Sequence, residues 1–278
     1  MQAQTRTVWC RNSGKGFGSL LGAHSKLPNK YAIPMGKKIK RRKTYLPELT
    51  EELVKLVERT EPDPGPEEGT TEHSLEDLDR MASDLLSEYS PERLWVFAYG
   101  SLIWNPEFDY EEVVQATAHG WHRSFCLILT RWRGTRELPA LMLALDRGGM
   151  CKGNAYALPA QDLKGQIVRL LDREIDANPP TNVPRWIDVS VDGNDVKALT
   201  FIADPEGPAY AGKLPLKKVA WTLARAAGHW GSSAQYLYNT YSMLKSVGID
   251  DKSITELQAL VAQEIMDFTN GAPYPRGK

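Results

Sequence analysis

Cysteine is scarce in this chain: Cys10, Cys126 and Cys151 are its only three in 278 residues. They are too few and too scattered for a disulfide framework or a paired-cysteine metal knuckle. Cys126 and Cys151 fall in apolar, strand-like runs, where a free thiol behaves as a small buried hydrophobe. That usage fits a reducing compartment, and a cytoplasmic location is expected. No stretch of about 18 apolar residues occurs, so nothing reads as a bilayer-spanning helix. A net charge of −1 provides no global field to hold a polyanion or an anionic membrane. Neither nucleic acid nor membrane is therefore expected as a partner. The chain also lacks a repeat of fixed period, a G-x-S-x-G elbow and a Ser/His/Asp arrangement. The Gly-rich residues 12–22 match neither phosphate-loop nor dinucleotide-loop spacing, and no strand leads into them.

What is present suits a packed protein, with 42% hydrophobic and 25% charged residues. Charge is balanced as a whole but not locally. Residues 1–45 hold eleven Lys or Arg and no acid, ending in the cluster Lys37–Lys43. This stretch reads as a solvated arm, or as sequence ahead of a start at Met35. A nucleic-acid arm and an organellar leader are the alternatives. Between Pro47 and Ser90 the sign reverses and acids dominate. Residues 1–46 are thus expected as a basic, disordered tail and 47–92 as a short helical extension. Residues 93–270 form the catalytic domain and 271–278 a disordered end.

In the extension, helices are predicted from Pro47 to Arg59 and from Leu75 to Glu88, the latter after a Ser74 cap. The Pro-rich stretch 61–69 links them. In the core, apolar runs predict strands at Leu94–Tyr99, Trp121–Leu129, Ala140–Asp146, Gly153–Leu158, Trp186–Val191 and Val196–Ala203. Helical periodicity covers Gln161–Ile175, Leu216–Ala227, Ser233–Ser246 and Ile254–Phe268. Gly228 reads as a helix stop, and Ser232 with Gln235 as a capping box. Six strands interrupted by one helix, then three helices in succession, make an α+β fold.

Two local features carry chemistry. In the helix after Pro159, Leu163, Ile167, Leu170 and Leu171 mark an apolar stripe, and Glu174 continues it at helical spacing. A carboxylate turned toward a core loses hydration, and its pKa rises toward the range useful for moving protons. The alternative is that Glu174, near the helix end, swings into water or pairs with an arginine. The second feature is the strand end Phe97–Trp104. A Gly-Ser break there can expose consecutive N–H groups to a carboxylate or carbonyl, Gly100 permits positive φ, and Tyr99 and Ser101 add hydroxyls. An ordinary strand-to-loop turn is the alternative. His119 and His122, three apart on a strand, face opposite sides and make a poor metal pair.

The stretch Leu94–Pro106 resembles the opening strand and loop of the ChaC-type γ-glutamylcyclotransferases. Further similarities follow in order at Gly120–Cys126, Thr130–Thr135, Leu141–Gly149, Arg173-Glu174, Ala198–Phe201, Tyr210–Gly212 and Ala234–Asn239. The resemblance covers roughly residues 93–265. It implies a mixed β-barrel flanked by helices, with a loop gripping a γ-glutamyl group and with Glu174 as the essential acid. The substrate-binding set it suggests is Ala98, Tyr99, Gly100, Ser101, Leu102 and Ile103. Arg133 is a candidate for the glycyl carboxylate of glutathione, against a surface-loop reading. Tyr210 either closes the pocket or packs in the core. Many relatives carry a tyrosine shortly after the glutamate, where this chain has Ala177–Thr181, which puts any contact made there in doubt.

The implied reaction is intramolecular. The α-amine of the γ-glutamyl residue attacks its own side-chain amide, releasing 5-oxoproline and cysteinylglycine, with no cofactor required. Alternatives are a cyclotransferase for other γ-glutamyl peptides or amines, and a non-catalytic regulatory binding protein. Oligomeric state does not follow from the sequence.

Overall fold

The computed structural model describes residues 46–67, 69–175 and 177–271. The basic stretch 1–45 and the end 272–278 lie outside these. In chain order the elements are α1 (Glu51–Lys55), α2 (Leu75–Glu88), β1 (Trp95–Ala98), α3 (Ser101–Trp104), β2 (Glu112–Leu129), β3 (Ala140–Ala157) and α4 (Leu163–Glu174). There follow β4 (Asn182–Val191), β5 (Asn194–Ala203), α5 (Leu216–Leu223), β6 (Ala227–Gly228), β7 (Gly231–Ser232), α6 (Ser233–Ser246) and α7 (Lys252–Thr269).

Strands β1 to β5 close into a barrel in the order β1-β3-β2-β4-β5, with further pairing of β5 to β1 and β3. The expected α+β barrel with flanking helices is the fold observed. Its strand count differs by one. Ala140–Asp146 and Gly153–Leu158, read as two strands, are the ends of a single β3 that pairs along its length with β2. Between them Arg147, Gly148 and Gly149 interrupt the apolar pattern, although Arg147 and Met150 on either side of the glycines stay paired with β2. Two strands of 18 residues would each reach roughly 60 Å if straight. Register shifts at His119/Trp121 and Phe125/Leu127 bend them, and Gly120 supplies positive φ (79°) at the first of these. His122 Nδ1 sits 3.0 Å from the Gly148 carbonyl.

Helices α1, α4 and α5 are shorter than periodicity suggested, α2 and α6 match it, and α7 is longer. Thr50 caps α1, accepting from the Leu53 amide. Ser74 and Asp77 form a complete capping box on α2. On α6, Ser232 accepts from the Gln235 amide, but Gln235 turns its own side chain to Asn239, so only half a box forms. Helix α5 stops at Leu223, and Gly228 is not its terminator. It lies in the β6–β7 hairpin, where an added Cβ would meet the Trp132 carbonyl at 2.3 Å.

Helices α2 and α4 pack together, while α1, α5, α6 and α7 pack among themselves. Residues ahead of 93 share the same core: Leu49, Val54, Leu78, Ala82 and Leu85 are buried in it. The Trp186 indole, on β4, donates to the Leu85 carbonyl of α2 (3.0 Å).

The end of β1 is fixed from several sides. Thr200 Oγ1 donates to the Phe97 carbonyl (2.8 Å). The Arg123 side chain, only 1% exposed, donates to the Tyr99 carbonyl (2.6 Å) and the Lys152 carbonyl. It also pairs with Asp251 (3.0 Å), which caps α7. A guanidinium this deeply buried is tolerable only when fully partnered, and here its partners hold the strand that leads into the Gly100 bend.

Gly153 completes that fixation, because a Cβ there would lie 2.3 Å from the Ala98 carbonyl and 2.8 Å from the Phe97 ring. Gly153→Ala is expected to cost about 1–3 kcal/mol through overpacking. Urea unfolding reads this as a lower midpoint, and an unchanged midpoint would contradict the close packing of β1 on β3.

Candidate active site

One cavity of about 690 Å³ opens beside the end of β1. Its size falls within the range that holds a small-molecule ligand, roughly 300–1,000 Å³. Tyr99, Gly100, Ser101 and Leu102 line it, as do Arg133 and Glu174. These six residues, spread over 76 positions of sequence, are brought together. Ala98 and Ile103 flank the bend but do not line the cavity. Tyr210 lies elsewhere: its hydroxyl donates to the Asp146 carboxylate (3.0 and 3.1 Å) and its backbone bridges to Leu127.

Glu174 is the last residue of α4. The buried face of that helix is Gln166, Ile167, Leu170 and Leu171, so the stripe read from sequence does carry Glu174 inward. Its side chain is 17% exposed and accepts from Arg173 Nε at 2.9 Å. The two sequence readings, inward-facing and arginine-paired, therefore hold together. Arg173 is drawn in as well, being 17% exposed and ion-paired to Glu107 at 2.9 Å, instead of standing hydrated.

Burial pushes the Glu174 carboxyl above the usual carboxylate range; Arg173 opposes this and the nearby Glu107 charge reinforces it. Desolvation is the larger effect, so the group holds its proton more tightly than a free glutamate does. A carboxyl whose proton is held more tightly than usual is suited to both giving and taking a proton.

At the bend, Gly100 has φ −133° and ψ −125°. Positive φ is not what requires glycine here. The requirement is room, since a Cβ would sit 3.2 Å from the Tyr236 hydroxyl. Ser101 and Leu102 begin the short helix α3, so their N–H groups precede the first intrahelical acceptor.

Tyr236, from α6, links the parts. Its hydroxyl is bonded to Ser101, the Arg133 guanidinium lies 5.3 Å from its ring centroid, and it feels the Glu174 charge. Burial raises its phenol to about 12, with Arg133 acting in the opposite sense. Burial and the Glu174 charge likewise keep the Tyr99 hydroxyl protonated. Both tyrosines are thus neutral hydrogen-bonding groups.

Arg133 donates to the Ser232 carbonyl (3.1 Å), and burial lowers its pKa. Among the described residues it has no carboxylate partner within ion-pair distance. A half-desolvated cation without an anion, on a cavity wall, suits a ligand carboxylate.

Sequence reasoning assigned no role to Tyr236, Arg173, Glu72 or His73, all of which line the cavity. Tyr236 shares a buried helix face with Leu237, Thr240 and Leu244 and so reads as core. The one signal was its hydroxyl, which needs a partner when buried. Glu72 and His73 lie in a linker and carried no signal.

Residues 94–264 match the family model described as ChaC-like protein. The chain is 37% identical over 184 residues to the glutathione-specific γ-glutamylcyclotransferase of Escherichia coli K12, covering 66% of this chain and 79% of that one. It is 28% identical to human glutathione-specific γ-glutamylcyclotransferase 1, covering 57% and 72% respectively. A crystal structure of a glutathione-specific γ-glutamyl cyclotransferase from yeast has the same fold. It superposes with a TM-score of 0.55 at 20% identity, over 62% of this chain and 96% of that one.

The raised pKa of Glu174 predicts a stability effect of definite sign. A carboxyl that binds its proton more tightly folded than unfolded stabilises the fold only while protonated, and that contribution is lost as pH rises. Glu174→Gln is therefore expected to melt above the wild type at pH 8, with the difference shrinking as pH falls toward 4. A variant that melts lower at pH 8 than at pH 4, relative to wild type, would contradict the burial of this carboxylate.

Proposed function

Because the chain belongs to the ChaC-like family, we propose that it cleaves glutathione by cyclising the γ-glutamyl group, with release of 5-oxoproline and cysteinylglycine. The observation that carries this reading is the shared cavity: it is lined by the buried Glu174, by the Gly100 bend and by Arg133, which has no carboxylate partner among the described residues. The E. coli, human and yeast relatives, each named for glutathione-specific activity, support the same substrate.

In the reaction, the α-amine nitrogen forms a bond to the γ-carbonyl carbon, and the amide C–N bond to cysteine breaks. Attack requires the ammonium to lose a proton, and departure requires the cysteine nitrogen to gain one. Glu174 performs both transfers, taking the first proton and returning it to the leaving amine. Nucleophile and electrophile belong to one molecule, so the cavity's main task is to hold the chain curled. That pre-pays the entropy of bringing them together. N–H groups around Gly100–Leu102 face the head group and the developing oxyanion, where one such donor contributes about 3 kcal/mol. Tyr99 and Tyr236 present protonated hydroxyls to the same region.

Arg133 supplies the cation for a carboxylate. It stacks on Tyr236, whose hydroxyl meets Ser101, so it stands next to the bend. That placement favours the α-carboxylate of the γ-glutamyl head over the glycyl carboxylate suggested by the sequence. Ala98 and Ile103 support the bend from behind, and Tyr210 acts through β2. Among the described residues no helix is long and apolar enough to cross a membrane. With Cys126 and Cys151 free and buried, a cytosolic site of action fits.

Two variants test this. Glu174→Gln is expected to bind glutathione yet release no 5-oxoproline above background, assayed by product chromatography. Near-normal turnover would remove Glu174 from the chemistry. Arg133→Met is expected to raise KM for glutathione by about 10- to 100-fold, the loss of one charge-assisted contact of roughly 1.5–3 kcal/mol. An unchanged KM would remove the carboxylate from that wall.

A further inference from the structure

Residues that precede the family-matched region reach the cavity and touch both of its working walls. At one end, the Glu61 amide donates to the Gly228 carbonyl (3.3 Å). There too, Asp63 accepts from Arg131 through both oxygens, Nε to Oδ1 and NH2 to Oδ2, each at 2.8 Å. Arg131 lies two residues ahead of Arg133. At the other end, Thr71 and Asn178 exchange backbone hydrogen bonds (3.1 and 2.8 Å). His73 Nε2 lies 3.0 Å from the Ala177 carbonyl. Ala177 is three residues past Glu174. Glu72 and His73 themselves line the cavity. The same stretch of chain is thus fastened both to the loop that bears Arg133 and to the loop that leaves Glu174.

The position of this wall within the cavity follows from its neighbours. The inner end is formed by the Gly100 bend, Leu143 and Tyr236. The first fastening lies at the rim instead, where Gly228 packs on Trp132. Arg131 stacks over the same indole at 4.4 Å, beside a Trp230 that is 58% exposed. Glu72 has no ion-pair partner among the described residues.

We propose that residues 61–63 and 71–73 brace the Arg133 and Glu174 walls at a fixed separation and bound the outer end of the cavity, where the group leaving the γ-glutamyl amide sits. This rests on the cyclotransferase reading. Asp63, Thr71 and His73 are positioning residues, and Glu72 borders the leaving group. The brace makes the site selective for a compact leaving group such as cysteinylglycine over one with a bulky substituent on the cysteine sulfur. Arg131 draws the Asp63 carboxyl down to about 2, so the fastening is intact throughout the neutral and mildly acid range. Exposed ion pairs add little to stability, so loss of this one changes cavity geometry far more than it changes folding.

The test compares wild type, Asp63→Ala, His73→Ala and the conservative Asp63→Glu, with glutathione and S-hexylglutathione as substrates. The two alanine variants are expected to raise KM for glutathione about tenfold through loosened positioning, with kcat within about threefold of wild type. They are also expected to raise the kcat/KM of S-hexylglutathione relative to glutathione by about tenfold. Asp63→Glu restores both values toward wild type, and melting temperatures stay together. An unchanged KM and selectivity, or an equal loss for both substrates with a lowered melting temperature, overturns the brace. If wild-type protein forms no 5-oxoproline, the cyclotransferase reading fails. Calorimetric titration of glutathione then decides the brace separately, with equal Kd in wild type and Asp63→Ala overturning it.

Discussion

The proposed chemistry depends on one carboxylate kept away from water. Glu174 ends a helix whose apolar stripe joins the common core, and the stripe carries the acid to a cavity wall instead of the surface. Desolvation alone would leave it a neutral acid; Arg173 beside it restores part of the anionic character, and Arg173 is steadied in turn by Glu107. The balance of these two effects keeps the carboxyl's hold on its proton above that of an ordinary glutamate, which is what the proposed proton carrier requires. Such a group is costly to fold around, and the fold is expected to be steadier without the charge.

The bend that shares the cavity with Glu174 is held by many contacts. The carbonyl of Tyr99 is held by a fully buried guanidinium that also reaches β3 and the cap of α7. Gly100 is pressed against Tyr236, and Tyr236 is in contact with Ser101 and Arg133. A reaction whose two partners belong to the same molecule gains little from strong chemical activation and much from being held in one conformation. The density of contacts behind the bend fits that need.

Much of the site was legible in the sequence, for reasons that vary by residue. Glu174 could be read because α4 is amphipathic and a helix transmits sidedness over several turns. The bend could be read because a buried strand ending in Gly-Ser has few other uses, although the reason glycine is required proved to be Tyr236 and not φ. The unbroken β3 was hidden, since its middle, around Gly148 and Gly149, is polar and lacks the alternation that marks a strand. Arg123 and Tyr236 lay inside motifs that resembled the family, yet their roles depend on partners 24 to 136 residues away. Local pattern has no access to such distances. Glu72 and His73 were invisible for the same reason, being placed at the cavity by hydrogen bonds to Ala177 and Asn178.

The pH profile of kcat/KM for glutathione addresses the proton-carrying role of Glu174 most directly, measured for wild type and for Arg173→Met. If Glu174 is the acid-base group, the acidic limb lies above the ordinary glutamate range in the wild type. It moves to still higher pH when the guanidinium is removed, because Arg173 is what holds the pKa down. A limb at an ordinary carboxylate pKa, or one that stays in place in Arg173→Met, would contradict the assignment of Glu174.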